Sequence, residues 1–288
     1  MVMLLEEDIH TKEVLEWQGV HLFHFQGSSC SQKLRIFLRL KDIKWHSHHL
    51  NLARKEHLTP HYMGINPRGL VPTLVHDGKV IIESNDILEY LEDQFPEPVL
   101  IPNDKANQVR AMLQAEDDLH LDIRALTMRF VFPSFISKRP EAELKKYESF
   151  GTGTVGGDID PHRAIELKFW RDILEYGGVT DGQTRAAYDA FKKQLDEFDS
   201  LLVGQAYLLG GKVSLVDIAW YIYCRRLIDA SYPLNRFHPN IARWFKLLDT
   251  DPIFHAEVPS GGLLGGVTSV LHFVQKLRGS DLQNVSVE

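Results

Sequence analysis

At 288 residues the chain is long for one domain and suits two, each able to bury its own core. A hydrophobic content of 44%, a charged content of 25%, 20 Gly and 13 Pro lie near globular averages and exclude a fibrous repeat or a disordered chain. The formal net charge of −7 is spread without a basic block, which argues against nucleic-acid binding, and two cysteines, Cys30 and Cys224, cannot build a disulfide framework.

In chain order, the start carries Glu6, Glu7 and Asp8 and lacks the pattern of a secretory leader, so a reducing, cytoplasmic location is expected. Residues 20–25 (VHLFHF) predict a buried strand. Leu34, Phe37, Leu38 and Lys41 then recur at helical spacing, with Arg35 and Arg39 expected to face out. A second strand is expected at 44–50 (KWHSHHL), as in the first half of a βαβ unit. Past Pro60 come Pro67-Arg68-Gly69 and the β-rich run Val71 to Val75. Asp77-Gly78 before Val80-Ile81-Ile82 is a strong hairpin signal. Ser84 reads as the cap of a helix through Ile87, Leu88, Leu91 and Phe95, ended by Pro96 and Pro98.

From about Asn107 the pattern turns helical, with Val109, Leu113, Glu116, Leu119, Ile123, Leu126 and Phe130 marking one long helix. Pro133, Pro140 and the stretch from Gly151 to Gly157 interrupt it, a connection long enough to be a lid or an insertion. Tyr188, Phe191, Leu195, Phe198 and Leu202 form an apolar stripe, read as core, and Ser214 and Asp217 have capping-box spacing. The apolar stretch from Gly261 to Val274 has about fourteen residues where a bilayer span needs roughly twenty, so no membrane anchor is expected.

Three short segments can carry chemistry. Pro72 interrupts a β-rich run; a cis Val71–Pro72 bond would turn the Val71 backbone towards a peptide-like ligand, and the plain alternative is an edge-strand proline. Glu83 and Ser84 open a helix whose N–H groups suit an anion, while Glu83 suits an ammonium; the plain alternative is an ordinary capped helix. Ser28, Ser29, Cys30 and Ser31 open the first helix, where a hydroxyl can favour a bound thiolate; alternatively they form a Ser-rich N-cap.

Taken together, GSSCSQKLRIFL, INPRGLVPTL and DGKVIIESNDILEYLE resemble the N-terminal domain of the glutathione transferase superfamily over residues 20–98, and the box at Ser214–Asp217 is similar to one in the family's helical domain. The resemblance implies a thioredoxin-like α/β domain (18–98) holding glutathione as cosubstrate. It implies an all-α domain (105–258) for the second substrate, an insertion near 133–165 and a tail at 259–288. By the same resemblance, Val71 pairs its backbone with the cysteinyl unit, Pro72 is cis, and Glu83 and Ser84 hold the γ-glutamyl end. Ser28 activates the sulfur in an alignment to the zeta and theta classes, and Ser31 does so in an ungapped alignment to bacterial β-aryl etherase-like transferases. Phe23 stands where the tyrosine-type classes carry their catalytic Tyr.

The expected partners are glutathione, a small hydrophobic electrophile and a second copy in a C2 homodimer. The expected roles are detoxification or the breakdown of aromatic compounds, including ether cleavage. A zeta-like isomerase and a non-catalytic module for assembly are the alternatives; a thiol exchanger using Cys30 is the weakest reading. No metal is expected: His46, His48 and His49 offer too few ligands. Cys224 reads as core, and the sequon at Asn284 is read as unused in a cytosolic chain.

Overall fold

The computed structural model describes residues 1–133, 138–258 and 265–287. Two compact units are present, one of Met1–Pro98 with Arg139–Arg171 and one of Val99–Lys138 with Asp172–Glu288.

The first unit contains β1 (Val2–Met3), β2 (Val20–His24), α1 (Ser29–Leu40), β3 (His46–His49), the short α2 (Pro60–Met63), β4 (Thr73–His76), β5 (Lys79–Ile82) and α3 (Ser84–Gln94). Its sheet runs β1-β5-β4-β2-β3, with β3 parallel to β2 and every other pairing antiparallel, which is the expected thioredoxin-like arrangement. Leu4, Ile9, Val14, Phe23, Tyr62, Ile65, Val75, Val80 and Ile82 build one buried cluster. The hairpin turns at Asp77 (φ 49°) and Gly78 (φ 76°), two positive values that match the twist of the flanking strands. A side chain at Gly78 would start 2.2 Å from the Leu15 carbonyl oxygen, so the position admits only glycine.

Residues 1–17 lie before the boundary read from the sequence, yet they belong to this unit. Val2 and Met3 pair with Ile82 and Ile81. Two residues cannot display an alternation, so this strand leaves no periodic signal.

The chain then enters the second unit with α4 (Ala106–Asp118) and α5 (His120–Phe130). The single long helix expected here is broken at Leu119, where ψ rises to 7° and the N–H closes a tighter turn onto the Glu116 carbonyl at 3.2 Å. Residues 134–137, inside the expected insertion, lie outside the described residues.

From Arg139 the chain packs with the first unit rather than with the helices that precede it in sequence. It forms α6 (Glu141–Ser149), a hairpin of β6 (Thr154–Val155) and β7 (Asp158–Ile159), and α7 (Pro161–Glu175). Asp8 anchors the hairpin. Its buried carboxylate accepts N–H bonds from Leu5 (2.9 Å), Gly156 (2.7 Å) and Gly157 (3.1 Å) and the Thr154 hydroxyl at 2.7 Å. The acidic start is thus a folded part of the α/β unit.

The second unit resumes with α8 (Asp181–Leu201), α9 (Leu215–Asp229), α10 (Leu234–Phe237), α11 (Pro239–Asp249), α12 (Pro252–Glu257), α13 (Gly265–Leu277) and α14 (Leu282–Val287). Phe191, Leu195 and Phe198 are buried as the stripe requires, and Cys224 is buried on α9. Of the expected tail, residues 259–264 lie outside the described set. On α13, the Thr268 hydroxyl, the His272 Nε2–H and the Gln275 amide reach the carbonyls of Val131, Phe130 and Arg129, closing the C-terminal end of α5.

At the start of α9, Asp217 accepts from the Ser214 N–H (2.8 Å) and hydroxyl (2.6 Å), the Leu208 N–H (2.9 Å) and the Trp244 indole N–H (2.8 Å). Asp217→Ala leaves these buried donors unpaired, and each such donor costs about 1–3 kcal/mol. Urea unfolding followed by circular dichroism is expected to show a loss of about 4 kcal/mol; a loss within error of zero would contradict this account of α9.

A pH dependence follows for Asp8. Burial raises its pKa, but the bonds from Thr154, Leu5, Gly157 and Gly156 outweigh burial and hold the carboxyl below its ordinary 3.8. A lowered folded value means the stabilisation is complete above 3.8 and is lost as pH falls through the folded pKa. The difference in unfolding free energy between the wild-type chain and Asp8→Ala is therefore expected to be level near neutrality and to shrink in acid. Amide hydrogen exchange at Gly156 and Gly157 is expected to quicken in the variant.

Candidate functional site

Strand register brings the three chemical segments to one end of the sheet. Phe23 stands opposite Thr73, and Thr73 stands opposite Ile82. The loop after β2, the Val71–Pro72 bond before β4 and the Glu83–Ser84 pair after β5 therefore leave three neighbouring strands on the same line.

The first segment is the opening of α1. Ser28 is the N-cap, and its Oγ accepts from the Ser31 N–H at 3.2 Å. Ser28, Ser29 and Cys30 are half-buried, whereas Ser31 is fully buried with its Oγ accepting the Phe25 N–H at 3.3 Å. The expectation that Arg35 faces solvent is overturned. It is buried, donating to the carbonyls of Phe25 (3.1 Å) and Gln26 (3.0 Å). The loop carbonyls of Phe25 and Gln26 give the guanidinium buried acceptors, and helical spacing alone does not reveal this.

Arg35 also donates to His24 Nδ1 at 3.2 Å, and His24 Nε2 lies 2.7 Å from Ser47 Oγ. A guanidinium only donates, so Nδ1 is the acceptor and Nε2 carries the proton. Burial first, then the Arg35 charge and the neighbouring His49 and His48, push the His24 pKa down to about 4. The imidazole beneath the loop is accordingly neutral at physiological pH.

The second segment is held by a dense turn. Asn66 donates to Leu70 O (3.0 Å) and Thr73 Oγ1 (2.8 Å) and accepts the Arg68 N–H at 2.9 Å. Tyr62 donates to the Leu70 carbonyl at 2.5 Å. Val71–Pro72 is cis, and among the described residues the Val71 N–H and C=O have no hydrogen-bond partner. Gly69 (φ 59°) allows the turn to close against Met63 Sδ, which a Cβ would approach to 2.5 Å.

In the third segment the reading of Ser84 as the helix cap is corrected. Glu83 is the N-cap of α3 and Ser84 the first helical residue, because Glu83 takes φ 69°, ψ 119° as the strand turns sharply into the helix. The Glu83 side chain makes no capping hydrogen bond of its own. A non-glycine residue at positive φ costs of order 1–3 kcal/mol and concentrates at ligand sites. Glu83 Oε1 lies 2.5 Å from Arg68 Nη1, and Arg68 in turn forks onto Asp160. Sequence reasoning assigns no role to Arg68 or Asp160: they stand 92 residues apart, and neither lies on a periodic face. The proline and glycine flanking Arg68 mark only a turn.

Elsewhere in the unit, His46 and His48 stack against His21 at 4.4 Å and 5.2 Å. No group of three or more potential ligands among the described residues is arranged to hold a metal ion. No helix among them is long and apolar enough to cross a membrane.

Comparison with known proteins gives these segments a family. Residues 27–94 match the model of the glutathione S-transferase N-terminal domain, and residues 181–247 match the model of the C-terminal domain. A glutathione S-transferase of Dianthus caryophyllus is 44% identical over 89 residues, which is 31% of this chain and only 40% of that protein's length. One of Arabidopsis thaliana is 27% identical over 247 residues, covering 83% of this chain and 90% of the relative. Among solved structures, a beta-etherase from Sphingobium sp. strain SYK-6 superposes with a TM-score of 0.70 at 23% identity, covering 83% of this chain and 98% of that one, a likeness of fold. With both family domains present in order on the expected α/β and all-helical framework, the chain belongs to the glutathione S-transferase superfamily.

Proposed function

We propose that the chain is a glutathione transferase that holds glutathione at the end of the sheet in the first unit and activates its thiol for attack on an electrophilic small molecule. The observation that carries this reading is the register that puts Val71, with its unpartnered backbone N–H and C=O, on the same line as the openings of α1 and α3. Val71 suits an extended peptide paired in the manner of an added strand. The start of α3, with Ser84, suits the γ-glutamyl carboxylate, and Glu83 suits the ammonium beside it.

At the opening of α1, a hydroxyl that donates to the sulfur favours the thiolate over the thiol. Ser28 fits this role because its Oγ is half-exposed at the N-cap and accepts from Ser31, leaving its own proton to donate. Ser31 fits less well: its hydroxyl is buried against Phe25. The thiol proton leaves to solvent, the sulfur lone pair forms a C–S bond, and the bond to the leaving group breaks with its electron pair. Where the leaving group is a phenolate, this is cleavage of a β-aryl ether, and the neighbour of like fold is a beta-etherase. As in the family, a cytoplasmic C2 homodimer is the expected assembly.

Ser28→Ala is expected to lower kcat by roughly ten- to a thousandfold, as for loss of one oxyanion donor, with KM for glutathione nearly unchanged. Steady-state kinetics with a general electrophile and a β-aryl ether checks this. Full turnover in Ser28→Ala with loss in Ser31→Ala would move the role to Ser31. Failure of the pure chain to bind immobilised glutathione would favour an assembly module over an enzyme.

A further inference from the structure

The 139–171 segment grips the turn that leads to Val71. Asp160 Oδ2 and Oδ1 accept the Nε–H and an Nη2–H of Arg68 at 2.7 and 2.9 Å. The Tyr147 hydroxyl donates to the Arg68 carbonyl at 2.8 Å, and Arg163 donates to the Pro67 carbonyl at 2.5 Å. A two-point fork fixes the plane of the guanidinium as well as its position. With Nε and Nη2 committed to Asp160, Nη1 is the nitrogen that meets Glu83 Oε1.

We infer that Asp160 is a positioning residue of the glutathione site, acting through Arg68 to set the Glu83 carboxylate for the α-ammonium group of the γ-glutamyl end. This rests on the proposed reading of Glu83 and Ser84. The side chain of Asp160 is 4% exposed and that of Arg68 is 11% exposed, whereas that of Glu83 is 38% exposed and presents the open end of the chain of charges. Arg68 takes Oε1, and Oε2 has no partner among the described residues. The three groups in direct contact, one guanidinium between two carboxylates, carry a net negative charge, which suits a cationic ligand group. His162, whose N–H donates to Asp160 at 3.2 Å, adds no compensating charge at neutral pH, because burial lowers its pKa.

The test compares glutathione with glutaryl-cysteinylglycine, which lacks the α-ammonium, by calorimetric titration of the full chain. The wild-type chain is expected to prefer glutathione. Asp160→Asn substitutes an amide N–H₂ for one of the two acceptors, so the fork reduces to a single bond. The preference is then expected to fall about tenfold, the loss of one charge-assisted hydrogen bond, while affinity for the glutaryl analogue stays within about twofold. Arg68→Lys keeps the charge beside Asp160 but cannot span both carboxylates, so it is expected to lose the preference in the same way. Asp160→Glu keeps the fork and is expected to recover most of it; these two variants decide the matter if Asp160→Asn does not fold. Preference retained in both Asp160→Asn and Arg68→Lys overturns the inference, as does equal weakening for the two ligands, the mark of a structural role alone. A wild-type chain that binds neither ligand overturns the reading of the site itself, and the inference with it.

Discussion

The alignment of Phe23, Thr73 and Ile82 across β2, β4 and β5 is the constraint on which the rest depends. Side chains in a sheet alternate, so a slip of one residue in either pairing would turn Val75 out of its cluster and into the opposite, equally buried face that holds Leu74. The buried cluster of Phe23, Val75, Val80 and Ile82 forbids that slip. Because register is fixed by core packing, the points at which the three strands end are fixed too. Three connections of unrelated sequence leave the sheet together, and chemistry at that end needs no further fold-level device.

What was legible in the sequence follows from the range of each signal. The strand from Val20, the Asp77-Gly78 turn and the helix behind Glu83 rest on spacings of a few residues, and all are present. Pro72 could be singled out because a proline conflicts with a central strand on sight. Interactions across long sequence distances left no such mark. The cage around Asp8 joins residues nearly 150 positions apart, and the fork on Arg68 joins residues 92 apart. The inward turn of Arg35 was hidden for another reason: charge on a helix predicts exposure, and acceptors such as the carbonyls of Phe25 and Gln26 and His24 Nδ1 make burial tolerable.

Polar burial in the first unit also has a common direction. Arg35 ties the loop before α1 to its own carbonyls, Asn66 and Tyr62 tie the turn before Val71, and Asp8 ties the 139–171 segment to the N-terminal residues. Each removes freedom from a turn or loop between the regular elements. These connections are thus held by side chains, which preorganises the loops that surround the candidate glutathione site.

Two buried ion pairs in this unit show why the Arg68 network reads as positioning more than as stabilisation. Lys41 meets Glu92 Oε2 and the Phe95 carbonyl, both at 2.6 Å, and so places a compact cation at the C-terminal end of α3, where the helix dipole favours it. Arg68 closes no helix end; it connects two carboxylates, one buried and one partly exposed. Desolvating such groups opposes folding, and an apolar contact of equal volume would attach the 139–171 segment without that opposing cost. What an apolar contact cannot do is orient Glu83, whose backbone is already held at a strained positive φ. The fork supplies direction where the strain supplies place, and together they fix the Glu83 carboxylate with one oxygen left over for the ammonium proposed to bind there.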